Sequence, residues 1–405
     1  MSDVNPLTVI TDENKIDEVL TKGVKEIFPT KEELKSLMMS GKRLKLYTGI
    51  DPTANFIHMG HMIWMRKLSE FQKLGHEVIF LIGGFTAMIG DPDKIYAREP
   101  LTREQVEANF QNYKKDASKI LNFDDPINPI QITNNYDWLS PITLEKWLEI
   151  MSNVTLQHIL SHDMFKERLT SQTPIRLHEI LYPLMQGYDS VAMGVDLEVG
   201  GSDQTFNMLT GRILSKNLIN KDKYVLTLKL LTDNSGKKMG KTTNNSISFK
   251  DSPDDVFGKV MSFSDTMLSD AYELLSSKSF SEIKVLQQQI TQEPMKIKKE
   301  LAFELTELIH NKDAAENALN HFEEVIQNKQ IPDDIPTLKI ADLQNESIID
   351  ILINNKFSES KSEIKRLLEQ GGIKLNENKI EKLEDLKIKS GDVMKIGKRK
   401  WVKFI

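Results

Sequence analysis

Two histidines stand where an apolar strand pattern gives way to a helical pattern. The apolar alternation around Leu46 ends in a Gly-Ile-Asp-Pro-Thr turn, and a helical pattern starts near His58 and runs to Leu74. A helix start presents N–H groups and a positive dipole end to an anion, and imidazole N–H groups can donate to phosphate oxygens. Gly60 would let a flat ligand lie against the backbone. This stretch predicts a nucleotide site, although histidines near a helix start, such as His58 and His61, are more often surface residues or helix caps.

The glycine-rich, basic stretch Ser235–Thr243 is a second candidate, because it follows a predicted strand and is too basic for a protein core. Its ammonium groups, including those of Lys238 and Lys241, could neutralise a leaving pyrophosphate as a mobile clamp. A flexible basic loop without a ligand would have the same composition. The stretch is not a P-loop, because its glycines and lysines do not have the Walker spacing.

Tyr182, Gln186 and Asp189 stand at i, i+4 and i+7 in an otherwise apolar stretch, so they share one face if that stretch is a helix. Pro183 is expected in the first helical turn, which would place Tyr182 just outside the helix. Polar groups in a buried helix need partners. The stripe therefore predicts either a pocket for a small amphipathic ligand or an internal hydrogen-bond network, and the sequence favours neither.

Two further glycine-rich turns follow predicted strands, and each carries an aspartate. In the turn at 200–204, Asp203 could accept from ribose hydroxyls or cap the following helix. In the run from Gly83 to Pro92, Asp91 could pair with a ligand ammonium or start a turn. Open α/β sheets bind their ligands at the carboxyl edge of the strands. Four polar breaks after strands together favour a binding site over the structural alternatives.

The composition is that of an ordinary globular protein, with 39% apolar and 28% charged residues over 405 positions. The lack of cysteine excludes disulfides, thiol catalysis and Cys-ligated metals. No apolar stretch approaches the roughly 18 residues of a membrane span, and the first residues show no signal-peptide pattern, so we expect a cytoplasmic protein without membrane contact. Because the net charge is −6, any nucleic-acid contact must come from a local basic patch.

Apolar runs bounded by turn residues predict five strands, with amphipathic helices between them. The predicted strands are Lys45–Gly49, Glu77–Ile82, Pro129–Thr133, Asp196–Val199 and Val225–Leu230. The helical patterns cover 60–74, 102–121, 143–150, 155–168, 174–193 and 202–217. Strands that alternate with helices favour a parallel α/β sheet with right-handed crossovers.

Helical and linking segments are predicted around this sheet. Residues 1–44 show a helical apolar period, and about 123–173 form a stretch too long for one crossover, which we interpret as a helical insertion. Residues 244–328 contain several amphipathic helices, and 329–345, with two prolines and paired aspartates, have the pattern of a linker. The chain is thus expected to contain more than one domain.

The last segment, residues 346–405, differs from the rest in charge and in pattern. It holds fourteen Lys or Arg against ten Asp or Glu, a net +4 in a chain of net charge −6. Short helices are predicted at 348–355 and 360–370, and hairpin-like strands at Ile373–Leu375 and Val393–Ile396. A positive charge of this kind suits phosphate contacts, which position a nucleic acid without reading its sequence.

These motifs, in this order, resemble the class I aminoacyl-tRNA synthetases and, within them, the bacterial tyrosyl-tRNA synthetases. Residues 58–61 are similar to the HIGH signature with Met for Ile, and 238–242 to the KMSKS signature with Gly for the first Ser and Thr for the last. The other matching runs are Tyr-x-Gly-x-Asp-Pro-Thr at 47–53, Gly-Asp-Pro at 90–92, Tyr-x-x-x-Gln-x-x-Asp at 182–189 and Gly-Gly-Ser-Asp-Gln at 200–204. The basic tail resembles an S4-type RNA-binding domain.

The resemblance implies an α/β fold with a Rossmann-like parallel-sheet catalytic domain at 45–243, which includes the helical insertion and a signature loop at 235–243. An all-α middle domain and a small α+β S4-like C-terminal domain would follow. The implied enzyme is a tyrosine–tRNA ligase, which activates L-tyrosine with ATP and transfers it to the 3′ end of tRNA(Tyr). Mg²⁺ would accompany the ATP phosphates with no protein-bound metal, and a homodimer would form through the insertion.

The resemblance also assigns roles to individual residues. Those implied in catalysis are Thr53, His58, His61, Lys238, Lys241 and Thr242. Those implied in tyrosine binding are Tyr47, Asp91, Tyr182, Gln186, Asp189 and Gln204, with Tyr47 and Asp189 reaching the substrate hydroxyl. Those implied in ATP binding are Gly49, Asp51, Gly60, His61, Gly201, Asp203, Met239 and Lys241. Those implied in RNA binding are Lys365, Arg366, Lys398, Arg399 and Lys400.

Three other functions would share part of this pattern. A tryptophanyl sibling would need an acceptor for an indole N–H and a larger pocket than the Tyr47 and Asp189 pair implies. A small nucleotidylyltransferase would share the histidine–glycine–histidine helix start but not the stripe at 182–189 or the basic tail. A non-catalytic RNA-binding protein is disfavoured, because both signatures keep their charged residues.

Overall fold

A computed structural model describes the chain in two compact units, Met1–Asn311 and Lys312–Ile405, each of which is considered by itself. The described residues are 8–53, 56–91, 101–232, 239, 246–327, 335–340, 347–355, 357–358, 360–376, 378–380, 382–383, 386, 388–397 and 400–405, without the side chains of 325–327. The division between the units falls inside the segment 244–328 that the sequence assigned to a middle domain. The predicted domain limits therefore stay predictions.

The first unit is built on a six-stranded sheet. Its strands are β1 Val24–Phe28, β2 Lys45–Ile50, β3 Glu77–Ile82, β4 Gln131–Asn134, β5 Leu197–Gly201 and β6 Tyr224–Leu228. They are arranged in the order β1-β6-β5-β2-β3-β4. The strands from β6 to β4 are parallel, and β1 runs antiparallel to β6 at the edge. The predicted α/β class with a parallel sheet is confirmed, and each of the five predicted strands overlaps an observed one.

Fifteen described helices belong to the first unit. They are α1 Glu13–Val19, α2 Lys31–Met39, α3 Met59–Lys73, α4 Thr86–Ile89, α5 Arg103–Ala117, α6 Tyr136–Leu139, α7 Leu144–Ser152, α8 Leu156–Leu160, α9 Asp163–Thr170, α10 Leu177–Met193, α11 Thr205–Ile219, α12 Pro253–Met261, α13 Leu268–Leu275, α14 Phe280–Ile290 and α15 Pro294–Ile309. Short 3-10 turns lie at Ser202–Gln204 and Asp265–Met267.

In the sheet order, β2 is the strand at which the chain changes from adding strands on one side to adding them on the other. The chain builds β2, β3 and β4 outward on one side and then returns to the other side of β2 with β5 and β6. Loops after β2 and β5 therefore leave in opposite directions, and a crevice opens at their carboxyl ends. The strands around it are apolar on both faces, as residues 78–82 of β3 show by being at most 3% exposed. Such strands hold the loops of the site on a rigid support.

The N-terminal segment 1–44 was predicted to be helical, and this was wrong for β1. Gly23 has a φ of +67°, a conformation in which a side chain is strained, and it separates α1 from the strand that follows. Val24, Ile27 and Phe28 are residue types that favour strands. Their antiparallel partner is β6, far along the chain, so no local pattern indicated the pairing.

Two further predictions need correction. Pro183 lies inside α10, not in its first turn, so Tyr182 is part of the helix. Proline removes one helical hydrogen bond, but Leu184 and Met185 are buried on the same helix, and their packing keeps it continuous. The predicted insertion 123–173 contains β4, a strand of the main sheet, so its helical part begins only at α6.

The second unit starts with α16 Lys312–His321 and a π-helical turn at Phe322–Gln327. Its remaining elements are β7 Thr337–Leu338, α17 Ile348–Asn354, α18 Lys361–Glu369, β8 Ile373–Leu375, β9 Asn378–Lys379, β10 Val393–Ile396 and β11 Lys400–Phe404. The sheet order is β7-β11-β10-β8-β9, with β7 parallel to β11 and the other pairs antiparallel. The predicted α+β architecture and both predicted hairpin strands are confirmed.

Part of the predicted linker 329–345 belongs to this second sheet. β7 pairs with β11, and the side chains of Leu338 and Ile340 pack against the core of the unit. The linker prediction was therefore wrong at these positions, because two apolar residues among prolines suffice to add an edge strand. The buried core they join consists of Leu352, Phe357, Ile364, Ile373, Ile380, Leu383, Met394, Ile396, Val402 and Phe404.

His76 is a fully buried histidine in the turn between α3 and β3. Its Nδ1 accepts a hydrogen bond from the Leu44 N–H at 3.2 Å, and its backbone carbonyl accepts one from the Asn128 amide at 3.0 Å. Burial, assisted by the positive charge of Arg43, lowers the pKa of His76 to about 4. A proton on Nδ1 would point at the Leu44 N–H, from which Nδ1 accepts a hydrogen bond in the folded state. The folded state therefore requires a neutral ring.

We predict that His76 makes the protein sensitive to mild acid. The unfolded chain binds a proton at this residue near pH 6.5, whereas the folded chain does so only near pH 4. Stability is therefore complete above pH 6.5 and falls by up to about 3 kcal/mol as the pH drops to 4. Urea unfolding at several pH values should show this loss, and His76→Asn, which keeps an acceptor for Leu44, should reduce it. Parallel pH curves for the two proteins would contradict the prediction.

Candidate active site

The loop after β2 leads into α3 through a reciprocal cap made by two histidines. His58 occupies the N-cap position, and its Nδ1 accepts from the Gly60 N–H at 3.1 Å. His61 reaches back, and its Nδ1 accepts from the His58 N–H at 3.1 Å. The two rings stack at 3.8 Å between centroids. The capping alternative raised by the sequence is thus correct, and it fixes the tautomer: a neutral ring that accepts at Nδ1 carries its proton at Nε2.

Gly60 is required by this cap. A Cβ at this position would lie 2.9 Å from Cε1 of His58, so a side chain would displace the ring. The same position lies 3.7 Å from the backbone oxygen of Met239, which comes from the basic signature stretch. Lys238, Lys241 and Thr242 lie outside the described residues, so their predicted roles stay predictions.

The chain just beyond the signature stretch pairs with the start of α3. The Met59 N–H donates to the Ile247 carbonyl at 2.9 Å, and the Phe249 N–H donates to the Ile57 carbonyl at 3.0 Å. His58 and Ser248 form an antiparallel bridge between these bonds. On the other side of the stretch, the Met239 N–H donates to the Leu231 carbonyl at 2.8 Å. Met239 and residues 247–249 therefore lie at the start of α3.

One face of α5 supports the loop before α3, a role that the sequence did not reveal. The Asn109 amide donates to the Pro52 carbonyl at 2.8 Å, and the Tyr113 ring lies 6.2 Å from that of His61. The carboxylate of Asp116 accepts from the Ile57 N–H, and burial raises the pKa of this carboxyl group. These positions are spaced by four and three residues, so a helical stripe of polar residues was the available signal.

Asp51 and Tyr182 meet at the carboxyl edge of β2. The Tyr182 hydroxyl donates to Asp51 Oδ2 at 2.9 Å, and the Thr86 hydroxyl donates to Oδ1 at 2.7 Å. A Cβ at Gly83 would lie 1.9 Å from Oδ1, so only glycine leaves room for this carboxylate. Burial, with the charge of Asp51, raises the pKa of the Tyr182 hydroxyl. Of these two partners, Tyr182 belongs to the predicted tyrosine-binding set, whereas Thr86 was not predicted.

Asp189 lies at the far side of the same network. Its carboxylate is 2% exposed and accepts from the Trp138 indole N–H at 2.8 Å and from the Asn135 amide at 3.2 Å. The Asn135 amide also donates to the Thr86 hydroxyl at 3.0 Å, which connects Asp189 to Asp51. Burial raises the pKa of Asp189, and the two donors oppose that shift.

The sequence reasoning missed Asn135 and Trp138. The available signal was their place directly after β4, a strand whose carboxyl end reaches the same edge of the sheet as those of β2 and β3. A polar run after a parallel strand is as informative there as the glycine-rich turns were elsewhere.

Asp91 and Gln204 belong to different glycine-rich turns and were both predicted to bind tyrosine, and the structure places them together. The Gln204 amide donates to Asp91 Oδ2 at 2.6 Å, while its oxygen accepts from the Asn207 amide at 3.0 Å. Asp203 caps neither the 3-10 turn nor α11, whose N-cap positions are Gly201 and Gln204. The capping alternative for Asp203 was therefore wrong. Its carboxylate instead packs over Gly201, where a Cβ would lie 2.3 Å from Oδ1.

Tyr47 is fully buried on β2, and its hydroxyl lies 2.9 Å from the Ser190 hydroxyl on α10. Burial, together with the charges of Glu198 and Asp189, raises the pKa of the Tyr47 phenol. Glu198 itself accepts from the Gln186 amide at 3.1 Å. Tyr182, Gln186 and Asp189 thus lie on one helix, α10, as predicted, while the sequence reasoning missed Ser190 and Glu198. A glutamate inside the apolar strand β5 was the signal for the latter.

Two of the five predicted RNA-binding residues are exposed on α18, namely Lys365 and Arg366. The Lys400 ammonium donates to the Phe357 carbonyl at 3.0 Å, so one of its three N–H groups already has a partner inside the unit. Lys398 and Arg399 lie outside the described residues. Over the described part of the chain, no three His, Asp or Glu side chains are grouped to hold a metal ion. None of the helices in that part is long and apolar enough to span a membrane.

The family of the chain follows from two matching family models. The model of "tRNA synthetases class I (W and Y)" matches residues 39–327, and the model of the "Tyrosine--tRNA ligase SYY-like C-terminal domain" matches residues 327–401. The chain belongs to the class I tRNA synthetases of the tryptophan and tyrosine group.

Curated relatives at high coverage are tyrosine–tRNA ligases. That of Haemophilus influenzae is 39% identical over 398 residues, which span 97% of this chain and 98% of the relative. That of Francisella tularensis is 40% identical over 396 residues, with 96% and 98% covered. A C-terminally truncated mitochondrial tyrosyl-tRNA synthetase of Coccidioides posadasii aligns with a TM-score of 0.63 at 26% identity, over 76% of this chain and 90% of that one. The chain is accordingly a tyrosyl-tRNA synthetase, as its motifs predicted, and ATP is its second substrate.

Proposed function

We propose that tyrosine binds along the hydrogen-bond network from Tyr182 to Asp189, with its hydroxyl at Asp189 and Tyr47 and its ammonium at the opposite end. The observation that carries this assignment is the continuous chain Tyr182–Asp51–Thr86–Asn135–Asp189 at the carboxyl edge of the sheet. The network holds two carboxylates at fixed positions. Asp189 at one end of the chain would accept from a phenol, and the Tyr182 hydroxyl at the other end would accept from an ammonium, so the two ends match the two polar groups of tyrosine.

The ammonium end consists of Tyr182, Gln186 and Asp91 in this proposal. Gln204 holds the Asp91 carboxylate, which supports a positioning role for Gln204. Asp51 was predicted to bind ATP, but both of its oxygens accept from residues of the tyrosine site. We therefore assign Asp51 to holding Tyr182.

ATP is proposed to lie between the loop after β2, the start of α3 and the turn after β5. Gly49 is exposed at the end of β2, so a ligand can approach its backbone closely. Gly60 and His61 at the helix start, and Gly201 with Asp203 after β5, would contact the adenosine. The phosphates would be contacted by Thr53, His58, Lys238, Lys241 and Thr242. Met239 lies between the two lysines in the sequence and would adjoin the phosphates.

The proposed chemistry takes place in two steps. An oxygen of the tyrosine carboxylate attacks the α-phosphorus of ATP, the bond to the bridging oxygen breaks, and pyrophosphate leaves. A hydroxyl of the terminal ribose of the tRNA then attacks the carbonyl of the adenylate, and AMP leaves. The carboxylate is already ionised at neutral pH, so the first step needs no general base. His58, with its proton at Nε2, can donate to phosphate oxygens as charge develops there.

Mg²⁺ enters this proposal as part of the ATP substrate, because hard cations bind phosphate oxygens readily. The tRNA is proposed to contact the basic side chains of the second unit, of which Lys365 and Arg366 are exposed on one helix. Substrates of this kind, ATP and tRNA, favour the cytoplasm as the compartment.

A homodimer is supported by the apolar side chains that are exposed in the helical insertion and next to it. Six of the exposed large apolar residues in the described part of the chain lie between positions 127 and 177, among them Leu177 at 81%, Leu144 at 73% and Leu148 at 55%. A monomer rarely exposes apolar side chains in such numbers over one segment. We propose that this segment is buried against a second copy of the chain.

Asp189→Asn is predicted to lower kcat/KM for tyrosine by roughly 100-fold, because an amide in place of the carboxylate leaves a buried hydrogen bond unmade. Tyrosine-dependent ATP–pyrophosphate exchange would measure the effect, and thermal unfolding would show a much smaller one. Asp137→Asn makes the same substitution at an exposed position of α6 and should leave the exchange unchanged. Wild-type exchange in Asp189→Asn would refute the assignment of the site.

Deleting residues 335–405, which removes the whole second sheet with its edge strand β7, is predicted to spare adenylate formation and cripple tRNA charging. The loss of several phosphate contacts should lower charging by roughly 100-fold or more. Pyrophosphate exchange and aminoacylation of tRNA would be measured side by side. Lys365→Ala with Arg366→Ala in the full chain should give a milder loss of charging alone. Equal loss of both activities in the deletion would contradict the assignment.

Replacing Leu144 and Leu148 by Glu is predicted to give a monomer, because buried charges at a dimer interface have no partners. Light scattering should give twice the chain mass of 46.4 kDa for the wild type and the single mass for the variant. Val285→Glu changes a side chain that is also exposed, at 60%, but lies outside the insertion, and it should stay dimeric. A monomeric wild type would overturn the dimer.

A further inference from the structure

Glu198 and Lys223 form an ion pair buried behind the candidate tyrosine site. Glu198 lies on β5 and is 2% exposed, and Lys223 lies just before β6 and is not exposed at all. The Lys223 ammonium donates to Glu198 Oε2, to the Ser190 hydroxyl at 2.8 Å and to the Met208 carbonyl at 3.1 Å. Three acceptors match the three protons of an ammonium group. Burial lowers the pKa of Lys223, and the charge of Glu198 opposes that shift.

The packing of α10 against α11 leaves a space that this ammonium fills. A Cβ at Gly211 would lie 2.6 Å from Nζ of Lys223 and 3.1 Å from the Ser190 hydroxyl. A Cβ at Gly187, across the helix crossing, would lie 3.1 Å from the Gly211 nitrogen. Two glycines at one crossing thus let the helices approach each other while a lysine head lies beside them. Such a construction is costly, since a buried pair of this kind rarely stabilises a fold more than apolar residues would.

Glu198 contacts Gln186 directly and is connected to Tyr47 through Ser190. Its Oε1 accepts from the Gln186 amide at 3.1 Å, and its Oε2 lies 3.4 Å from the Ser190 hydroxyl. Ser190 in turn lies 2.9 Å from the Tyr47 hydroxyl. A single carboxylate therefore connects a residue of the ammonium end with a residue of the hydroxyl end.

The carboxylate also decides how the Gln186 amide is turned. An ionised carboxylate can only accept hydrogen bonds, so the Gln186 NH₂ group must face Glu198. The carbonyl oxygen of Gln186 then remains for a donor on the other side. A substrate ammonium is such a donor.

We propose that Glu198 and Lys223 are positioning residues for tyrosine recognition: Glu198 orients Gln186 toward the substrate ammonium and, through Ser190, fixes the Tyr47 hydroxyl, while Lys223 holds Glu198 in place. The inference rests on the proposed roles of Tyr47 and Gln186. Neither positioning residue contacts the substrate in this arrangement. Their effect should be on tyrosine and not on ATP.

The test uses the difference between tyrosine and phenylalanine, which share the ammonium but not the hydroxyl. In the full-length Glu198→Gln variant, kcat/KM should fall about tenfold for phenylalanine and still further for tyrosine, because both ends lose their orientation. In Ser190→Ala, kcat/KM should fall for tyrosine alone. The KM for ATP should stay within about twofold of wild type in both variants. Pyrophosphate exchange with each amino acid would supply all of these values.

Glu179→Gln is the matched control, because Glu179 on α10 forms a buried ion pair with Arg168 on α9. Glu179 and Arg168 are each at most 3% exposed, and so are Glu198 and Lys223. A merely structural ion pair should lower the melting temperature and leave the KM for tyrosine unchanged. Glu179→Gln is expected to do this. The same result for Glu198→Gln would overturn the proposal.

A second variant keeps the proposal testable if Glu198→Gln folds poorly. In Glu198→Gln with Lys223→Met no unpaired charge is left in the interior, so the melting temperature should recover toward wild type. The kcat/KM for tyrosine should stay low, because Gln186 and Ser190 have lost their partner. Recovery of both properties would overturn the positioning role.

Asp189→Asn measured in parallel separates this inference from the assignment of the site. Wild-type exchange in Asp189→Asn would mean that the tyrosine site itself is wrongly placed. If Asp189→Asn is impaired while Glu198→Gln keeps the wild-type values for both amino acids, only the positioning role is refuted.

Discussion

The carboxylates of Asp189 on α10 and Glu198 on β5 lie almost wholly out of water, and a charge in such a place persists only if donors surround it. Asp189 has the Trp138 indole and the Asn135 amide, and Glu198 has Lys223 and the Gln186 amide. Each donor must in turn be held by an element that does not move. Much of the arrangement of α10, α11 and the turn after β4 follows from this need.

The parallel sheet meets that need because its strands end at one edge. The turn at Gly83 and Asn135 follow the ends of β3 and β4 at this edge, and Tyr47 and Glu198 lie opposite each other on the neighbouring strands β2 and β5. Gly83 and Gly201 then let carboxylates approach the backbone more closely than any side chain would allow. These glycines lower the intrinsic stability of the turns, since glycine loses more conformational entropy on folding than other residues. The close approach of these carboxylates is thus obtained with turns of lower intrinsic stability.

Local patterns predicted the parts of the fold that depend on local forces. β3 has five consecutive buried residues, and β2 ends in a turn of glycine and proline, so their apolar runs and punctuation indicated strands. β1 and β7 depend on partners far along the chain, and Pro183 is tolerated by the packing of a buried helix, so none of the three could be read locally.

Within the site, the sequence indicated the residues of α10 and of the glycine-rich turns by their spacing. It did not show Asn135, Ser190 or Lys223, because their importance arises only from contacts between elements.

The two histidines show why a structural and a functional explanation of one residue need not compete. Capping uses Nδ1 of both rings, and a neutral imidazole that accepts at one nitrogen must carry its proton at the other. Stacking at 3.8 Å then restricts rotation of the rings, so the orientation of Nε2 is set before a ligand arrives. Preorganised donors stabilise developing charge without the cost of reorganising at the moment of reaction. The cap is therefore a means by which His58 becomes an oriented donor, and replacing it with another capping residue would preserve the helix start while removing that donor.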